Sequence, residues 1–151
     1  MQKVFGFIVC LLFFGFGLSD QIDTIANDGE LIEVSSIPDS AFAQAREFAF
    51  KGDYLVAEKI LNLNIERFPE NTDYKIFYAR VKSWQKQYDT SRVVLAAIVK
   101  EDSTQLEAYE LLATIERYDG QYDTAIGMSN DGLKRFPNNK VFFINKAQSQ
   151  V

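Results

Sequence analysis

Arg46 and Arg80 stand 34 residues apart, and Phe42 and Ile76, each four residues earlier, share that interval. A guanidinium forks onto a carboxylate through paired N–H donors. Two arginines beside two apolar side chains therefore suit an extended peptide that carries both carboxylates and apolar groups. The competing use of Arg46 and Arg80 is to pair with Asp39, Asp73 or Glu107 and keep the face soluble. Catalysis has less to work with. The chain contains no histidine, which excludes His-based triads, imidazole acid–base steps and imidazole-bound zinc. Its one cysteine, Cys10, excludes an intrachain disulfide and a cysteine metal cluster. Carboxylate pairs such as Glu107 and Glu110 sit one helical turn apart and could in principle exchange protons, but such pairs are commonplace on solvated helix faces. There is no phosphate-cradling glycine loop, no serine elbow and no metal-ligand spacing. Asp119-Gly120 does not extend into a calcium loop. The sequence points to binding, with no catalytic residue, metal or cofactor.

These residues belong to a repeat. Tyr54, Tyr88 and Tyr122 are spaced by 34, and Arg67-Phe68-Pro69-Glu70-Asn71 returns 68 residues later as Arg135-Phe136-Pro137-Asn138-Asn139. Small residues recur at Ala45, Ala79, Ala113 and Ala147, and again at Ala57, Ser91 and Ala125. Aromatics recur at Phe50, Trp84 and Tyr118, and apolar residues at Ile65, Val99 and Leu133. One period shared by so many columns defines a stacked architecture. Within a unit, Ala41, Ala45, Phe48 and Ala49 mark one helical face, and Lys51-Gly52-Asp53 reads as a turn. Ala57, Ile60, Leu61 and Ile65 then mark a second helix that stops near Pro69. Thr104 and Glu107 read as a capping box. No alternating strand pattern is expected. The expected fold is all-α: a solenoid of antiparallel helix pairs, with units 38–71, 72–105 and 106–139 and a terminal helix 140–151. Small residues allow close helix approach, and the Phe50, Trp84 and Tyr118 column is expected to fill the gaps between helices.

The spacing of a small residue, a tyrosine after the turn, an alanine and a proline resembles the tetratricopeptide repeat over residues 38–151. The middle unit departs from it at Lys86, Ser91 and Ser103, where glycine, alanine and proline are usual. The resemblance implies a concave groove lined by the first helices. Its register assigns Phe42, Arg46 and Ala49, then Ile76, Arg80 and Ser83, then Glu110, Thr114 and Arg117. This set does not reproduce the Lys/Asn carboxylate clamp of chaperone-binding repeats. The phrases Ala79–Asp89 and Asn138–Ala147 also resemble the periplasmic repeat region of YaiO-type outer-membrane β-barrel proteins, although no barrel segment follows here.

Residues 1–19 read as a secretory signal peptide: Lys3, the uncharged run Val4–Leu18, then Gly17 and Ser19 as small residues before Asp20. The run would span about 22 Å as a helix, short for a hydrocarbon core of ~30 Å. A retained anchor is the alternative. Cleavage after Ser19 would leave 15 basic and 21 acidic residues, a net charge of −6. Residues 20–37 read as an acidic leader, since Asp20–Asp39 holds six acidic residues and no Lys or Arg. Beyond it the charges balance, and the acidic total, a net charge of −5, gives no electrostatic reason to expect nucleic-acid binding. Phe142, Phe143 and Ile144 are expected to form an apolar end face, open to a partner or to self-association. The sequence thus predicts an exported, non-enzymatic scaffold that binds a protein or peptide in the bacterial cell envelope. That places it in the periplasm, in contact with the outer membrane where the barrel resemblance holds, with no membrane insertion by the repeats. The alternatives are the N-terminal periplasmic domain of a barrel protein and a carbohydrate-binding or enzyme-accessory subunit.

Overall fold

Helices follow the apolar columns from Pro38 onward. The structure, a computed structural model, describes residues 23–150. Seven helices run through them: α1 (Pro38–Lys51), α2 (Tyr54–Arg67), α3 (Thr72–Trp84), α4 (Tyr88–Glu101), α5 (Leu106–Tyr118), α6 (Tyr122–Arg135) and α7 (Lys140–Ser149). They pack as antiparallel pairs in an all-α solenoid. Each first helix ends at a left-handed residue: Gly52 (φ 91°), Lys86 (φ 61°) and Gly120 (φ 76°), again 34 apart. Pro69 and Pro137 lie just beyond α2 and α6, where proline disfavours helical geometry in the residue before it. Asn71 and Asn139 cap α3 and α7 by accepting from backbone N–H groups of the first turn.

The small-residue columns do the packing. Ala45, Ala79 and Ala113 are fully buried, as are Ala57, Ser91 and Ala125. Ser91 fills its alanine place by donating its hydroxyl to the Ala79 carbonyl. The core forms two clusters. One joins the first unit to Tyr74, Phe77 and Val81 of α3; the other joins Ile76 and Ala79 to α4 and α5.

Polar contacts lock the units together in the same columns. Between α2 and α3, Glu58 accepts from Lys82 and Gln85. Between α4 and α5, Arg92 donates to Glu116 at 2.6 Å and to Asp119. Each member of the second set lies 34 residues after its counterpart, with the charges of the ion pair exchanged.

Three local expectations need correction. The segment read as a leader without strands forms an antiparallel hairpin, β1 (Asp23–Asn27) and β2 (Glu30–Val34), with Ile25 opposite Ile32. Asp28 and Gly29 both take positive φ (47° and 88°), the geometry that a tight two-residue hairpin turn requires. A lone hairpin is marginal. This one is held by Val34, which is fully buried, and by Ile25 and Ile32 on the same core cluster. The Gln44 amide donates to the Glu33 carbonyl at 2.7 Å, Lys59 donates to the Ala26 carbonyl, and Arg67 pairs with Asp23. These contacts dock the hairpin onto α1 and α2. Second, the Thr104/Glu107 capping box does not form. Asp102 accepts from the Thr104 hydroxyl (2.7 Å) and backbone N–H (2.8 Å), and Arg80 takes Glu107, so α5 begins after an uncapped Gln105. Those bonds hold the exposed Asp102 carboxyl below its ordinary pKa. Third, Phe142 is not on an outer face. It is fully buried with its ring against Gly132 and stacked near Phe136 (6.4 Å). Only Phe143 and Ile144 face outward, each 51% exposed. The signal-peptide segment lies outside the described residues.

Candidate functional site: an aromatic and arginine hollow on the concave face

Alpha-helical spacing aligns Phe42, Arg46 and Phe50 along one edge of α1, and Asp73, Phe77, Arg80 and Trp84 along α3. With Glu107 of α5 they line a concave hollow of about 420 Å³. Its floor is a set of rings in edge-on and tilted contact. Phe42 meets Phe77 at 5.4 Å, Phe50 meets Trp84 at 5.7 Å and Phe77 meets Trp84 at 6.0 Å. Such contacts fix ring orientation while leaving faces open.

The two arginines differ in availability. Arg80 donates to Glu107 at 2.7 Å, so its charge is answered within the protein. Arg46 forms no ion pair among the described residues. Its guanidinium carbon lies 5.9 Å from the Phe42 ring centre and 5.8 Å from that of Phe50, within cation–π range. The rings orient the group without neutralising it.

Of the residues assigned to the groove from sequence, Phe42, Arg46 and Arg80 meet in this hollow and the others do not. Ile76 is buried against α4 and α5. On α3, which is sandwiched between two units, neighbouring residues 100° apart serve opposite sides, and Phe77 rather than Ile76 turns toward α1. Ser83 is buried and donates back to the Arg80 carbonyl at 2.7 Å. The third unit's Glu110, Thr114 and Arg117 are engaged by α7. Asn139 donates to the Glu110 carboxylate (2.6 Å), Asn145 to the Thr114 hydroxyl (2.9 Å), and Arg117 to Asn145 (3.0 Å). Glu107 and Glu110 therefore both carry structural partners, on Arg80 and Asn139.

Sequence reasoning missed Phe77 and placed Phe50 and Trp84 in the packing, whereas it named Asp73 and Glu107 as partners for the arginines, and Glu107 does take Arg80. The column Phe50, Trp84 and Tyr118, read as filling between helices, is instead exposed by 66%, 36% and 57%. A shared aromatic column signals an equivalent place in each unit, and its members Phe50 and Trp84 line the hollow. Among the described residues no helix is long and apolar enough to cross a membrane.

No protein-family model matches the sequence, and no curated protein matches it. Solved structures do match in three dimensions. The chain is similar to the Arabidopsis OM64 TPR domain (13% identity, TM-score 0.66, covering 75% of this chain and 93% of that one). It is similar to the TPR2B domain of yeast Sti1, solved as a pHsp70 complex (16% identity, TM-score 0.65, 75% and 95%). It is also similar to residues 41 to the end of MamA from Desulfovibrio magneticus RS-1 (20% identity, TM-score 0.63, 76% and 64%). The helix pairs, their 34-residue period and these neighbours agree: the chain has the tetratricopeptide-repeat fold.

Proposed function

We propose that this protein is a non-enzymatic, exported scaffold that binds an extended segment of a partner protein in the bacterial cell envelope. The observation that carries the proposal is the open hollow on the concave face, where the half-buried Phe42 and the exposed Phe50 flank an arginine with no ion pair among the described residues. Similarly folded domains are recorded with peptides: the first TPR of Spaghetti (RPAP3) with an HSP90 peptide and the second TPR domain of human RPAP3 with an HSP70 peptide. Export rests on the layout of residues 1–19. The place of action is the periplasm, and the barrel resemblance favours the neighbourhood of the outer membrane. The same resemblance supplies the variant reading, in which these repeats lead a barrel protein. Intact mass from separated soluble and membrane fractions distinguishes the two. A soluble species near the mass of residues 20–151 supports the free scaffold, and a larger membrane-embedded species supports the barrel.

The exposed column Phe50, Trp84 and Tyr118 favours one second reading, a saccharide stacked on the rings. A photo-crosslinking aromatic placed at Phe50 separates the two, with Val93, an exposed position on α4 outside the hollow, as control. Protein adducts at Phe50 and none at Val93 support the scaffold. No protein adduct, together with a saccharide that shifts Trp84 emission, overturns it.

A further inference from the structure

Resting on the scaffold reading, we infer the chemistry of the bound segment: one carboxylate side chain, with an aromatic or large aliphatic side chain two residues away. The carboxylate belongs on Arg46, the hollow's one cation with no ion pair among the described residues. Arg80 already donates to Glu107 at 2.7 Å, which makes it the more committed of the two cations. Asp73 lines the same hollow and repels further negative charge. The site is therefore built for a single anion rather than an acidic run. The apolar side chain belongs among Phe50, Phe77 and Trp84, whose rings approach one another at 5.7 to 6.4 Å and leave Phe50 largely exposed.

The spacing follows from geometry. Arg46 and Phe50 lie four residues apart on α1, a rise of about 6 Å. In an extended segment, side chains on one face repeat every second residue, about 6.6 Å apart. A carboxylate at one position and a ring two positions away therefore reach Arg46 and Phe50 together. Adjacent residues point to opposite sides and reach only one. The third unit adds no further polar hook, since α7 engages Glu110, Thr114 and Arg117.

The test uses the whole protein and capped peptides with glycine and serine flanks. Glutamate and phenylalanine are placed adjacent, two apart or three apart. Binding is read from the emission of Trp84, the only tryptophan, and by calorimetry. The two-apart peptide is expected to bind tightest. Glutamine in place of its glutamate should weaken binding roughly tenfold, the loss of one charge-assisted contact. Arg46→Gln should weaken the glutamate peptide by a similar factor and abolish discrimination between the two. Equal binding of both peptides to the unaltered protein, indifference to spacing, or no saturable binding by any peptide overturns the inference. If protein adducts at Phe50 persist in that event, the scaffold reading survives. If they too are absent, both fail.

Discussion

At Gly132 a β-carbon would meet the Phe142 ring at 2.5 Å, whereas at Gly127, in the same helix, it would meet nothing within 4 Å. Alanine should therefore act in opposite directions at the two sites. Gly127→Ala should stabilise by about 0.5–1 kcal/mol through helix propensity. Gly132→Ala should destabilise by about 1–3 kcal/mol by displacing a fully buried ring. Denaturant melts of the two variants check the signs. Lys86 holds the left-handed position that Gly52 and Gly120 occupy in neighbouring units, so Lys86→Gly should stabilise by about 1 kcal/mol. Two further side chains set an alkaline limit. Burial holds the Tyr74 phenol above its ordinary pKa of 10.0, with Asp39 adding to the effect and Arg67 opposing it. Burial alone would lower Lys82, but its bond to Glu58 outweighs this and raises it above 10.5. Both folded values thus exceed the unfolded ones. Their stabilisation is complete below about pH 10 and is lost as pH rises through the folded values. Thermal midpoints should fall as pH climbs past 10. Tyr74→Phe should show a shallower fall, after losing about 1 kcal/mol at neutral pH with the 2.7 Å bond to the Pro38 carbonyl.

At the scale of elements, the hairpin depends on its one fully buried side chain. Val34→Ala should cost about 1.5 kcal/mol. Hydrogen exchange should quicken first at the cross-strand amides of β1 and β2 while the amides of α3 to α6 hold their protection. The helices were legible in the sequence because close helix contact demands a small side chain, and the Ala45, Ala79 and Ala113 column records that demand directly. The hairpin was not, because its five-residue strands are half acidic or polar and carry only Ile25, Ile32 and Val34 inward. The signal lay in Asn27-Asp28-Gly29-Glu30, whose Asp-Gly pair suits a tight turn. The concave site was half legible. Register alone found Phe42, Arg46 and Arg80. It could not tell that α3, packed on two sides, presents Phe77 to the hollow and buries Ile76. Nor could it tell that Phe50 and Trp84 of the aromatic column line the hollow, since period reports equivalence between units and not exposure. The third unit's residues failed for a different reason: α7 reaches them first through Asn139 and Asn145.

Across the whole molecule, the ion pairs between successive units bear on how such an array can gain or lose parts. A 34-residue unit can be excised in frame without disturbing the period, and equal-length repeats invite that kind of recombination. Removing residues 72–105 would set α5 directly after α2 and place Glu58 where it meets Glu116. In the intact chain Glu58 meets Lys82, and Glu116 meets Arg92. Because the signs alternate from one junction to the next, the shortened array carries two like charges in a largely buried place. A single reversal should therefore act with opposite effect in the two backgrounds. Glu58→Arg should cost about 3 kcal/mol in the full chain, where it leaves Lys82 without its partner. In the shortened chain it should raise stability, because it recreates the Arg92–Glu116 pair. Paired denaturation curves read this out directly. The opposite signs at the two junctions thus act as a parity mark along the solenoid, one that penalises the loss of a unit.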